Sequence, residues 1–152
     1  MFYRIGFDAF LIENPVFQRV FQVAGDHIDP KLGLYDLHKL GEALLPERDM
    51  QFDYLGLQTL YDRYFLHKNK TRFELPQAFF MRVAMGLAIN EIDREARAIE
   101  FYQLLSSFDF MSSTPTLFNS GTLRPQLSSC YLTTVPDDLH GIFGAIHDNA
   151  ML

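Results

Sequence analysis

The sequence predicts a mainly α-helical chain that closes with a loop, a strand and one further helix. Three observations predict it. Apolar residues recur at helical spacing, between capping and stopping residues, through most of residues 14–107. A stretch rich in proline and small polar residues interrupts that pattern at 111–121. Residues 127–135 then have the β-branched and aromatic content of a strand, and a polar turn leads from them into a new helical stripe. A strand feeding a helix through a short polar turn is the unit of an α/β barrel, and one such unit is present.

Asn14 and Pro15, followed by Val16, Phe17, Val20, Phe21 and Ala24 and stopped by Gly25, predict an amphipathic helix with a cap, a first-turn proline and a glycine stop. Leu34, Leu37, Leu40 and Leu44 repeat at helical spacing until Pro46 ends the pattern. Asp53 is placed to cap a helix with Leu57, Leu60, Tyr61 and Tyr64 on one face. Pro76 suits the first position of a helix whose Phe79, Phe80, Val83, Ala84, Leu87 and Ala88 form a broad apolar stripe. A further helix is expected over about 92–107, with Ala96, Ile99 and Leu105 facing inward. These stripes are core, and no chemistry is assigned to them. Residues 111–121 read as loop or turn. Beyond the strand, Asp137 or Asp138 caps a helix carrying Leu139, Ile142, Phe143 and Ile146.

Composition narrows the function classes. The 152 residues are 48% hydrophobic and 14% aromatic, which supports one domain with a real core rather than disorder. A formal net charge of −6 argues against a general nucleic-acid or membrane-surface binder, because either needs a basic face. No apolar stretch approaches the ~20 residues that span a bilayer, and the N-terminus lacks the regions of a signal peptide. A single cysteine makes no internal disulfide, so a cytoplasmic home is the natural reading. Histidines 27, 38, 67, 140 and 147 include no i, i+4 pair and none adjoins the cysteine, so no metal site is expected. Glu91, Asp93, Glu95 and Glu100 are expected to face solvent, and no catalytic carboxylate pair is visible.

The chemistry concentrates at Cys130. It follows two serines, Ser128 and Ser129, downstream of a turn-rich segment dense in hydroxyls and glycine: Thr114, Thr116, Asn119, Ser120 and Gly121. Such a segment can present backbone N–H groups and hydroxyls to an anionic ligand beside a sulfur capable of two-electron chemistry. For a lone cysteine the bland alternative is a buried structural residue on a core strand.

The run Ser113-Thr114-Pro115-Thr116-Leu117-Phe118-Asn119-Ser120-Gly121, with Arg124-Pro125-Gln126-Leu127-Ser128-Ser129-Cys130, closely resembles the start of the catalytic barrel in the large subunit of aerobic ribonucleotide reductases. Downstream, Pro136-Asp137-Asp138-Leu139 with Ile142 resembles that family's entry into the specificity-effector site. Upstream, Arg48-Asp49-Met50-Gln51-Phe52-Asp53-Tyr54, residues 60–64 and Pro76-Gln77 resemble the helical domain that precedes the barrel. The likeness is good over about residues 45–152 and loose before them.

The resemblance implies a helical N-terminal domain at 1–111 and, at 112–152, the first strand-helix unit of a ten-stranded α/β barrel. It implies that Cys130 is the first of two reducing cysteines, which deliver electrons and close to a disulfide while a radical on a third cysteine activates the sugar. Thr114 matches a position beside the ribonucleotide substrate, Ser129 and Cys130 the pair that lines it, and Asp137, Asp138 and Leu139 the stretch that meets a deoxynucleotide effector. The partners implied are the rest of the large subunit, a second copy of that subunit and a small radical-generating metal subunit. A thioredoxin- or glutaredoxin-type reductant and deoxynucleotide or ATP effectors are implied as well. The remaining catalytic residues of the family lie further along a full-length subunit, and the glycine-rich, lysine-containing signature of its ATP-sensing domain is missing from residues 1–9. The expectation is therefore an N-terminal portion that does not reduce ribonucleotides by itself. The rival expectation is a helical interaction or regulatory module that shares this segment without its chemistry.

Overall fold

The computed structural model describes residues 24–152 of the chain. The helix expected from Asn14 lies outside the described residues except at its end, where Ala24 is buried and Gly25 turns the chain with a left-handed φ of 41°.

The expected leucine helix is divided. Pro30–Leu34 is a 3-10 turn, entered through Asp29, whose side chain accepts from the Lys31 amide. Helix α1 (Leu37–Glu42) starts afresh because the Asp36 carboxylate accepts from the amides of His38 and Lys39. That capping turn takes Leu34 out of register, so Leu34 is exposed while Leu40 is buried and Leu37 and Leu44 pack at the core margin.

After a 3-10 turn at Pro46–Gln51, helix α2 (Tyr54–Thr59) begins at the predicted cap, with the Asp53 carboxylate accepting from the Gly56 amide at 2.6 Å. It passes directly into a π-helical turn, Leu60–Tyr64. The wider turn changes the inward face: Leu60 and Tyr64 pack against the core, whereas Tyr61, predicted to face in, is exposed beneath the Arg72 guanidinium at 4.7 Å. A short antiparallel hairpin follows, β1 (His67–Lys68) and β2 (Thr71–Arg72), pairing His67 with Arg72 and Lys68 with Thr71. Its turn residues, Asn69 and Lys70, both hold positive φ, at 51° and 66°.

Helix α3 (Pro76–Leu87) starts at Pro76 as predicted and is the axis of the described residues. Phe79, Phe80, Val83, Ala84 and the following Ala88 are buried, but so are Gln77, Met81, Arg82 and Met85, so the helix is enclosed on nearly all sides. Leu87, assigned to the stripe, is partly exposed. Helix α4 (Arg94–Ser106) packs along α3, its start capped by Asp93 accepting from the Ala96 amide. Its buried residues are Ala98, Tyr102, Leu105 and Ser106, Ile99 packs partly buried against the core as expected, and Ala96 lies outside. Tyr102 sets that rotation, because its hydroxyl donates to Gln77 Oε1 at 2.6 Å and accepts from the Leu45 amide at 2.8 Å. The Gln77 amide in turn donates to Asp49 Oδ1 at 2.7 Å, and burial holds the Asp49 carboxyl above the usual carboxylate range against that bond.

Residues 111–121, expected as loop, contain a short helix, α5 (Thr114–Asn119), with Pro115 in its first turn, where a missing N–H costs no helical bond. The expected strand at 127–135 is not formed. Residues 125–136 have no regular structure, because a strand takes its hydrogen bonds from a neighbour and none lies beside this stretch among the described residues. Helix α6 (Leu139–Met151) is capped by Asp138, which accepts from the Gly141 amide at 2.9 Å. Its apolar stripe is uncovered, with Leu139 72%, Ile142 37%, Phe143 63% and Ile146 58% exposed, and only Ala145 of the helix is buried. The mainly helical fold class stands, and the strand half of the strand-helix unit does not form in the described residues.

Candidate functional site

The segment carrying Thr114 is locked to α3 by close backbone approach and a buried ion pair. At Gly86 a Cβ would meet the Gly121 amide nitrogen at 2.1 Å, so only glycine lets the end of this segment lie against the helix. Gly121 itself takes φ 75°. Ser120 Oγ donates to the Val83 carbonyl at 2.7 Å, and the Asp29 amide donates to the Gly121 carbonyl at 3.1 Å.

Arg82 holds the segment from below. Its Nη1 donates to the Ser120 carbonyl at 2.6 Å and its Nε to Glu74 Oε1 at 2.6 Å, while Glu74 Oε2 accepts from the Leu66 amide at 2.8 Å. Both charged side chains are fully enclosed. Buried charge is tolerated only when paired and hydrogen-bonded, and here one pair joins α3, the β-hairpin's approach and the end of α5.

Thr114 is the first residue of α5 and is exposed. Its Oγ1 lies 3.3 Å from the Tyr64 hydroxyl. The Tyr64 ring stacks on Phe118 at 4.6 Å and meets Phe79 edge-on at 6.4 Å. Thr116 Oγ1 donates to the Leu127 carbonyl at 3.2 Å and Asn119 Nδ2 to the Gln126 carbonyl at 2.7 Å, so the chain returns beside α5 just before Ser129 and Cys130. Ser129 and Cys130 are exposed, and Cys130 is a free thiol. The alternative of a cysteine buried on a core strand therefore fails on both burial and strand.

The effector candidates stand apart from this cluster. Asp138 caps α6, Asp137 occupies the exposed bend before it, and Leu139 opens the helix. Among the described residues no three His, Cys, Asp or Glu side chains gather as metal ligands would, and no helix is long and apolar enough to cross a membrane.

Sequence reasoning missed Glu74 and Arg82, although a lone arginine inside an apolar helical stripe is a signal for a paired buried charge. It placed Tyr64 only as a core-facing residue. Nothing local in the sequence shows that Tyr64 meets Thr114, because fifty residues separate them.

Residues 50–125 match the family model described as "Ribonucleotide reductase, all-alpha domain". The chain is 58% identical over 119 residues to the ribonucleoside-diphosphate reductase subunit alpha of Chlamydia trachomatis, a match covering 78% of this chain and 11% of that protein. With the corresponding subunit of Chlamydia muridarum the identity is 50% over 151 residues, covering 99% of this chain and 14% of the relative. The ribonucleoside-diphosphate reductase large subunit of Arabidopsis thaliana is 36% identical over 157 residues, covering all of this chain and 17% of the relative. The chain thus spans well under a fifth of the length of these relatives.

Proposed function

Because this chain belongs to the ribonucleotide reductase all-alpha-domain family, we propose that it is the N-terminal part of a reductase large subunit, which converts ribonucleotides to deoxyribonucleotides in the cytoplasm. In this reading residues 1–111 are the helical domain and 112–152 open the catalytic barrel. The exposed thiol of Cys130, following Ser128 and Ser129 where the chain returns beside α5, is the observation that carries it. Loss of the 2′-hydroxyl as water and its replacement by hydrogen takes two electrons and two protons. Two thiols supply both when they close to a disulfide, and thiol–disulfide exchange with a thioredoxin- or glutaredoxin-type reductant restores them. Cys130 is one of the two thiols, and the second belongs to another part of the subunit. Thr114 and Ser129 offer hydroxyl donors to the bound ribonucleotide, while a small partner subunit supplies the radical that activates the sugar.

Asp137, Asp138 and Leu139 form the effector contact in the same reading. One oxygen of Asp138 is committed to the Gly141 amide, which leaves Asp137 as the carboxylate free to accept from a sugar hydroxyl of a deoxynucleotide. In the complete reductase Cys130→Ser blocks multiple turnover, whereas Asp137→Ala weakens the effector-dependent substrate preference more than it lowers basal turnover. Turnover counts and effector titrations with each ribonucleotide measure both. Undiminished steady-state turnover in Cys130→Ser removes Cys130 from the reducing pair, and an unchanged preference in Asp137→Ala removes Asp137 from the effector site.

A further inference from the structure

We infer that Tyr64 is a positioning residue for the nucleotide, acting through Thr114. The inference rests on the reading above in which Thr114 contacts the ribonucleotide. The two hydroxyls are 3.3 Å apart, and the direction of the bond decides its consequence. A phenol is the more acidic of the two and is the better donor. When Tyr64 donates to Thr114 Oγ1, it occupies one lone pair, fixes the hydroxyl of Thr114 and leaves the threonine proton free to be donated to an anionic oxygen of the nucleotide.

The surroundings of Tyr64 are built to hold this geometry. Its ring is stacked on Phe118, with the planes 8° apart, and Phe118 stands four residues after Thr114 on α5. One turn of one helix therefore supplies both the surface that fixes the phenol ring and the hydroxyl that the phenol meets. Phe79 closes the other side with its ring edge. The backbone adds a second, independent sign, because Tyr64 ends the π-helical turn at Leu60–Tyr64. Such turns are rare, re-aim the side chains that follow, and cluster at functional sites. The buried Arg82–Glu74 pair also binds the chain just after each of these elements, at the Leu66 amide and the Ser120 carbonyl, which restrains the spacing between Tyr64 and Thr114.

The test is a double-mutant cycle in the complete reductase that contains this segment, with Tyr64→Phe, Thr114→Ala and the pair. Tyr64→Phe keeps the stacked ring and removes only the hydroxyl, so the fold is retained and thermal unfolding stays at the wild-type midpoint. The expected result is a KM for the ribonucleotide raised about threefold to tenfold, the range of one neutral hydrogen bond, with kcat within about twofold. In the Thr114→Ala background, Tyr64→Phe adds nothing further. Thr114→Ala shifted with Tyr64→Phe unchanged overturns the role of Tyr64 alone. Equal effects of Tyr64→Phe in both backgrounds also overturn it, because the phenol then acts without Thr114. An unchanged KM in Thr114→Ala removes the reading beneath the inference and the inference with it.

Discussion

Tyr35 shows how one buried hydroxyl couples this fold to pH. The side chain is 4% exposed, its hydroxyl donates to the Met85 carbonyl at 2.7 Å, and the Arg94 guanidinium lies 4.9 Å from the ring centre. Burial pushes the phenol up to about 12 from 10.0, against the opposing pull of Arg94. Since the folded state holds the proton more tightly than the unfolded one, this contribution is fully present below about pH 10. It is lost as pH rises from 10 towards 12. Tyr35→Phe loses about 1 kcal/mol at neutral pH with the hydrogen bond, yet its stability declines less steeply over that alkaline window. Denaturation midpoints at intervals from pH 8 to pH 12 for both proteins measure this, and parallel declines contradict it. Residues of this kind were partly legible in the sequence. Asp53 and Pro76 are where their local chemistry puts them, since caps and first-turn prolines depend on neighbours in the chain. Cys130 stood out in the sequence as the lone thiol of a distinctive run, but its exposure did not, because burial depends on contacts distant in sequence.

Among the elements, α3 holds Arg82 in a fully enclosed ion pair with Glu74. Breaking such a pair leaves one charge buried and unmatched, so Arg82→Met costs about 3–5 kcal/mol. Replacing both partners, as in Glu74→Leu with Arg82→Met, costs less than Arg82→Met alone. Chemical denaturation of the single and double variants checks the order, and a double variant weaker than the single contradicts it. The same level of structure explains where the sequence pattern misled. Helices α2, α3 and α4 were readable because a helix satisfies its backbone from within its own stretch. The strand at 127–135 was not, because its composition is strand-like while its hydrogen bonds require another strand. Helix α5 was hidden by prolyl, hydroxyl and amide residues that also build turns, and the hairpin at residues 67–72 was too short to show a period. Leu105 and Ile99 of α4 face inward as expected, while Ala96 gives way to Tyr102, whose hydroxyl finds partners in two other elements.

Across the whole molecule, burial divides the described residues. The core surrounds α3 and takes in α4, the turns before α2 and the segment ending at Gly121, whereas residues 123–152 are mostly exposed. The exposed part carries Ser129, Cys130, Asp137 and Leu139, so the candidate chemistry sits at the edge of the core and Thr114 at the junction. In the function proposed above, the Cys130 thiol gives up electrons when a ribonucleotide is reduced. In the complete reductase, incubated with its radical-generating partner and a ribonucleotide but no external reductant, every turnover closes one disulfide. Alkylation of free thiols followed by peptide mass spectrometry reads which sulfurs have closed. Cys130 is expected to be disulfide-bonded in proportion to the deoxyribonucleotide formed, and Cys130 recovered as an alkylated free thiol after product has formed would contradict its role.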